Sequence, residues 1–297
     1  MSIKATVFNV ARCSVNDGPG LRSVIYFKGC NLSCAWCHNP EGLSANREIS
    51  FAKVKCIGCG RCAEVCSKAH TADGYVRENC TLCGKCVEEC TANALEMVGK
   101  EYDVESLLKE VKKDEAYFRR GGGVTLSGGE CLLQHEFAAL FLRACKNEGL
   151  NTLVESAFCV PEQSIESVLP YVDTFYVDCK HMDDDIHRKY TGASNRKILE
   201  NISRFASKSA IVVRVPLIIG VNDGIDNLEK TVLFSKSVGA RGVELLRFNP
   251  LGVSKYEKLG KKGESFGLET QEKSQIKSLV ERLNVGVGEE KFVYSNI

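Results

Sequence analysis

Three cysteines, Cys30, Cys34 and Cys37, form a C-x3-C-x2-C run directly after the apolar stretch Leu21 to Phe27. A loop this short can bring three thiolates to one metal centre. A cubane [4Fe-4S] cluster has four irons, so three thiolates leave one iron open to an outside ligand. An open iron is a place for chemistry rather than for electron storage alone. Two more cysteine runs follow, Cys56, Cys59, Cys62 and Cys66, then Cys80, Cys83, Cys86 and Cys90. Both read C-x2-C-x2-C-x3-C, and each cysteine of the second lies 24 residues after its counterpart in the first.

This internal duplication has the spacing of bacterial two-cluster ferredoxins, in which the first three cysteines of a run bind one cluster and the fourth reaches across to the other. It predicts Cys56, Cys59, Cys62 and Cys90 around one auxiliary cluster, and Cys66, Cys80, Cys83 and Cys86 around a second. Gly58, Gly60 and Gly84 fit, because backbone amides approach the sulfides closely. The alternative is a pair of zinc sites with four cysteine ligands each, which also use C-x2-C pairs.

Sixteen cysteines in 297 residues are the compositional outlier. A secreted disulfide scaffold is usually shorter and does not space its cysteines this way, so metal is the better reading. The five scattered ones, Cys13, Cys131, Cys145, Cys159 and Cys179, are expected as small buried hydrophobes. A net charge of +1 provides no broad basic field, which argues against nucleic acid or an anionic membrane as a partner. The apolar stretch Ala210 to Val221 is interrupted by Arg214 and is too short to span a bilayer, and the N-terminus lacks a signal pattern. A cytoplasmic protein, monomeric on its own, is expected.

The elements that must position these cysteines alternate. Residues 5 to 28 read as two apolar runs around the turn Asp17-Gly18-Pro19-Gly20, the second giving a strand near Ser23 to Phe27. Beyond Met97, helical spacing of Val104, Leu107, Leu108 and Val111 leads to a strand at 124–126. Further strands are predicted at 152–155, 174–178, 211–215 and 242–247, with helices at 133–147, 161–168, 183–190, 197–207, 226–237 and 270–283. Six strands in mostly β-then-α order predict an α/β fold, a partial parallel (β/α)6 barrel. Residues 1–45 and 99–297 would form the barrel, and 46–98 an inserted ferredoxin-like domain.

In such a barrel the strand C-termini share one mouth, where sites are built. The predicted strands end at the three-cysteine loop, at Ser127-Gly128-Gly129-Glu130, Glu155-Ser156, Asp178-Cys179-Lys180, Arg214-Val215-Pro216 and Arg247-Phe248-Asn249. A salt-bridge network at the barrel end is the plain alternative for these charges.

The C-x3-C-x2-C loop followed by Gly128-Gly129-Glu130 resembles the radical S-adenosylmethionine superfamily. Asp17-Gly18-Pro19-Gly20-Leu21-Arg22 and Trp36-Cys37-His38-Asn39-Pro40-Glu41 make it similar to the glycyl-radical-enzyme activating enzymes, and the insert is similar to that of the ferredoxin-bearing members. The resemblance implies three [4Fe-4S] clusters. S-adenosylmethionine would occupy the open iron of the one held by Cys30, Cys34 and Cys37. It implies Trp36 and His38 beside the adenosyl group, Gly128, Gly129 and Glu130 at the methionine amino end, and Asp178, Lys180 and Arg214 at polar groups of the ligand. Asn249 stands where a histidine is frequent, Cys131 where proline is usual, and Ala157-Phe158 where a glycine follows in the family. Glu155, Ser156, Tyr176 and Asp178 match a monovalent-cation site, and Asp17, Gly18, Pro19 and Gly20 the turn that meets the partner's glycine loop. The implied partners are a large glycyl radical enzyme as protein substrate and reduced flavodoxin or ferredoxin as electron donor. Two other functions remain open: another radical peptide-modifying enzyme with auxiliary clusters, and an iron-sulfur electron carrier.

Overall fold

The computed structural model describes residues 3–66, 68–71, 74–118, 121–262, 269–288 and 291–296. All six expected strands form: Arg22–Phe27, Gly123–Gly128, Asn151–Ser156, Thr174–Asp178, Ile211–Leu217 and Gly242–Arg247. They lie side by side in chain order and every neighbouring pair is parallel. Their residues are buried on both faces, which is why they read as near-continuous apolar runs.

Three further strands extend this sheet to nine. Ala5–Ser14 and Lys100–Tyr102 add antiparallel beyond Arg22–Phe27, and Val293–Tyr294 adds parallel beyond Gly242–Arg247. The two runs expected around the Asp17–Gly20 turn are both strands, and the first, Ala5–Ser14, which was not assigned as one, is ten residues long. Its ladder is irregular after Val7 and after Ala11, and Asn9, Arg12 and Cys13 are exposed, so the apolar alternation that marks a strand is broken. The sheet ends at Val293–Tyr294 on one side and Lys100–Tyr102 on the other, so the barrel is open.

Helices follow the strands and bury one stripe each. In His135–Asn147 the buried set is Phe137, Ala138, Phe141, Leu142 and Cys145, the spacing of a single helical face. Asp103 and Asp183 cap the helices Val104–Lys112 and Asp184–Thr191 by accepting from Ser106 N at 2.8 Å and Ile186 N at 3.0 Å. A short helix, Val253–Lys258, was not anticipated; its run VSKYEK is too brief to show a period.

Between the first two parallel strands, Glu48–Phe51 pairs antiparallel with Leu95–Val98 and forms a neck. Beyond the neck the duplication is visible as structure. The turns Lys53–Lys55 and Arg77–Asn79 occupy matching places, and the helices Arg61–Val65 and Lys85–Glu88 each start from a left-handed glycine, Gly60 at φ 75° and Gly84 at φ 85°. Ile49, Cys86 and Leu95 make a small core of their own, with Cys62, Cys80 and Cys90 packed against it. Of the scattered cysteines, Cys131, Cys145 and Cys179 are buried as expected, whereas Cys13 is exposed and Cys159 half-buried. Cys13 sits on the irregular part of the first strand at φ 56°, which turns its side chain out of the core. Among the described residues no helix is long and apolar enough to cross a membrane.

Candidate active site

The strand ends surround a cavity of about 900 Å³ at the barrel mouth. Cys30, Cys34 and Cys37 line it together with Trp36 and His38, and so do Gly128, Gly129, Asp178, Lys180, Arg214 and Asn249 from the later strand ends. Sites expected from residues scattered over 220 positions therefore share one space. Asp17 reaches the same cavity, whereas Gly18, Pro19 and Gly20 do not line it.

Backbone packing fixes the loop that carries the three cysteines. Ser33 N and Ala35 N donate to the carbonyls of Thr191 at 2.8 Å and Tyr190 at 2.9 Å, which ties the loop to the end of helix Asp184–Thr191. Gly128 has φ +116°, and a Cβ there would lie 2.3 Å from Phe27 N; a Cβ on Gly129 would lie 2.2 Å from Gly29 O. The two glycines are needed for close approach of the chain to itself, which seats the second parallel strand against the start of the cysteine loop.

Glu130 is placed differently from Gly128 and Gly129. It is 1% exposed and does not line the cavity. Its carboxylate accepts from Ser156 Oγ at 2.8 and 2.9 Å, from Ala157 N at 2.9 Å and from Leu132 N at 3.1 Å. Burial raises its pKa and those hydrogen bonds oppose the rise. It fastens the ends of two strands together from behind the site.

The charges on the cavity wall are paired. Lys180 Nζ lies 2.7 Å from Asp178, and although burial disfavours its charge, Asp178 and the Cys34 thiol outweigh that and raise its pKa. Arg214 bonds Glu155, faces Glu244 Oε2 at 3.1 Å and lies 4.8 Å over the Tyr176 ring. Burial pushes the Glu155 carboxyl up to about 7, against the pull of Arg214. Burial also pushes the thiols up, Cys30 to about 12 and Cys34 to about 11, with Cys37 raised as well, while Lys180 pulls all three down. Thiols so placed keep their protons until a metal's charge removes them.

The four residues matched to a monovalent-cation site already have partners. Glu155 accepts from Ser127 Oγ at 2.7 Å as well as from Arg214. Ser156 Oγ donates to Glu130 and accepts from Phe158 N at 2.9 Å. Tyr176 lies under Arg214, and Asp178 holds Lys180. Lys180 and Arg214 are the cations that face these acids.

Three further residues at the site were assigned no role from the sequence. Glu41 and Glu244 both line the cavity; Glu41 presents a buried carboxylate oxygen, Oε2, without a hydrogen bond, and Glu244 is held by Arg214 and Asn296. The signal for Glu244 is a lone charge inside the apolar strand run GVELLR. Tyr256, on the unanticipated helix, lies beside the Cys37 thiol. Across the mouth, Ser50, Glu96, Met97 and Val98 bring the neck of the insert to the cavity wall.

Comparison with known proteins agrees with this arrangement. Residues 24–233 match the radical SAM superfamily. The chain is 42% identical over 269 residues to the (2S)-3-sulfopropanediol dehydratase activating enzyme of Klebsiella oxytoca, covering 86% of this chain and 85% of that one. It is 40% identical over 291 residues to the trans-4-hydroxy-L-proline dehydratase activating enzyme of Clostridioides difficile, covering 94% and 96%. In fold it is similar to Streptococcus suis SuiB bound to its precursor peptide SuiA, with TM-score 0.58 at 12% identity over 92% of this chain and 48% of that one. The chain belongs to the radical SAM superfamily. Within it, the chain belongs to the activating enzymes of glycyl radical enzymes.

The superfamily implies a [4Fe-4S] cluster and S-adenosylmethionine, and the residues fit both. Three soft thiol donors face one cavity, whose volume lies in the range of small-molecule sites. The unbonded Oε2 of Glu41 is an acceptor, and the ligand's amino and hydroxyl groups are donors.

Proposed function

We propose that this activating enzyme installs a radical on a backbone glycine of a large partner enzyme, with Cys30, Cys34 and Cys37 holding the reactive cluster. A reduced cluster held by Cys30, Cys34 and Cys37 would supply the single electron for cleaving S-adenosylmethionine to methionine and a primary alkyl radical able to take hydrogen from the glycine. The direction follows from radical stability, since a glycyl radical flanked by two amides is far more stable than a primary alkyl radical.

The chain's own residues hold the cosubstrate and keep the space closed. Trp36 and His38 flank the adenosyl group, and Gly128 and Gly129 offer backbone at the methionine end. Lys180, fixed by Asp178, lends positive charge to the ligand's carboxylate and to the thiolates. Arg214 with Glu155 and Glu244, and Asn249 from the last strand end, supply the remaining polar contacts. Glu130 acts one layer behind, by holding Ser156 and Ala157. The Asp17 to Gly20 turn receives the partner's glycine loop. Its shape is set by the fully buried Arg22, which donates to Pro19 O at 3.2 Å, and by Thr125, which donates to Asp17 O at 2.8 Å.

Residues 46–98 form a ferredoxin-like insert with two further [4Fe-4S] clusters that pass electrons inward from flavodoxin or ferredoxin. Electrostatic neighbours support the crossed ligand assignment. The Cys86 thiol is pushed up to about 11 by burial and then by Cys66, Cys80 and Cys83, and the Cys62 thiol is raised by burial and by Cys56 and Cys59. The protein works in the cytoplasm, without oxygen, and as a monomer until it meets its partner.

The observation that carries this reading is the meeting, on one cavity, of three thiols, the close-packed backbone of Gly128 and Gly129, and the unbonded buried Oε2 of Glu41. The test is anaerobic incubation of the reconstituted protein with reductant, S-adenosylmethionine and candidate glycyl radical enzymes. A glycyl doublet in the paramagnetic resonance spectrum of one candidate is expected. Cofactor cleavage with a modified peptide but no protein radical would instead identify another peptide modifier.

A further inference from the structure

The two cysteine repeats are copies, so each serves as the control for the other's surface. The 24-residue offset matches Lys53 with Arg77, Val54 with Glu78, Lys55 with Asn79 and Ile57 with Thr81. Part of the second copy faces inward, although Glu78, Thr81 and Cys83 are exposed. Arg77 donates to Ile49 O and, at 2.6 Å, to Lys258 O on the barrel's helix Val253–Lys258. Gly84 abuts Met97, whose Cε would be 3.8 Å from an added Cβ, and Met97 lines the active-site cavity.

The first copy faces solvent. Every residue from Lys53 to Arg61 is exposed, Cys56 and Cys59 among them. Val54 is 94% and Ile57 70% exposed, at positions where the sister copy has Glu78 and Thr81. Between 53 and 61 the charges are Lys53, Lys55 and Arg61, with no acid. Lys55 meets Glu96 at 3.2 Å, and Lys53 and Arg61 complete the basic rim. An apolar centre within a charged rim is the make-up of a transient protein interface, and folding does not explain it, since the sister copy folds with polar residues there.

We propose that the Lys53–Arg61 face is the docking surface for an acidic one-electron carrier protein, which hands its electron to the iron-sulfur centre of the first repeat. The inference rests on the reading of the insert as an iron-sulfur module. The transfer oxidises the carrier by one electron and reduces the centre by one, and no bond or proton changes place. Opposite charge on the carrier speeds encounter, by about 10- to 1,000-fold for steered pairs at low salt, and Val54 and Ile57 supply the short-range contact.

The test mixes fully reconstituted protein, without S-adenosylmethionine, with a reduced bacterial flavodoxin as the acidic probe, and follows loss of visible iron-sulfur absorption by stopped flow. Lys53→Glu with Lys55→Glu should slow this reduction at least about tenfold at low ionic strength and flatten its salt dependence. Val54→Ser with Ile57→Ser should slow it at all salt concentrations. Glu88→Lys with Glu89→Lys, on the second copy, should leave it within about twofold, and reduction by dithionite should be equal in all variants. An unchanged flavodoxin rate in the double lysine variant, at full iron content, overturns the docking surface. An iron content near four per chain rather than about twelve overturns the reading of the insert itself, so the two failures are distinguishable.

Discussion

Replacing Glu130 by alanine separates the two roles a carboxylate at this motif position can have. The carboxylate is buried, off the cavity wall, and accepts from two backbone amides, Ala157 N at 2.9 Å and Leu132 N at 3.1 Å, besides Ser156 Oγ. Alanine leaves both amides buried without an acceptor. Each costs about 1–3 kcal/mol, so the loss is about 2–6 kcal/mol, a large part of the roughly 5–15 kcal/mol that holds a domain together. Thermal melting of the reconstituted protein under nitrogen should fall by roughly 5–15 °C. Calorimetric titration of the folded fraction with S-adenosylmethionine, well below the melt, should show binding weakened by no more than a few fold. A melting point within about 2 °C of wild type together with a hundredfold loss of affinity would mean that the carboxylate meets the ligand directly, and the placement would be wrong.

Three more perturbations test other parts of the site. Because the Glu155 carboxyl is raised to about 7, the folded state holds that proton more tightly than the unfolded chain does; its stabilising contribution is full below the unfolded value and is lost as pH rises through about 7. The urea midpoint of wild type minus that of Glu155→Gln should therefore fall between pH 5 and pH 8, and a difference that rises refutes the burial argument. Gly128→Ala forces a Cβ to within 2.3 Å of Phe27 N at φ +116° and should cost about 3 kcal/mol or more, read from denaturant midpoints; near-neutrality would show that the strand can shift. Arg22→Lys removes donors to Pro19 O at 3.2 Å, Gly121 O at 3.1 Å and Val124 O at 2.7 Å, so amide exchange across residues 15–20 should quicken at least about tenfold, whereas an unchanged rate would mean that Thr125 holds the turn alone.

The sequence exposed whatever obeys local rules. The six parallel strands are buried on both faces and stand out as apolar runs, and the cysteine spacing marks the loop and the duplication. Strand order then put Cys30, Gly128, Asp178 and Arg214 at one mouth without any further information. What stayed hidden depends on distant partners. Ala5–Ser14 is a strand because of its neighbours, Lys100–Tyr102 included, although its own alternation is poor. Glu130 reads like a ligand contact until Ser156 and Ala157 are seen to claim it. Tyr256 approaches Cys37 across more than 200 residues from a helix too short to announce itself.

The most direct test of the central claim is the fate of S-adenosylmethionine in the reduced, reconstituted protein without any partner. Wild type should release methionine and 5′-deoxyadenosine in equal amounts, and Cys34→Ala should release neither while keeping the iron bound by the insert. Intact S-adenosylmethionine in wild type with a full iron content, or undiminished cleavage in Cys34→Ala, would contradict the assignment of the three-cysteine loop as the reactive centre.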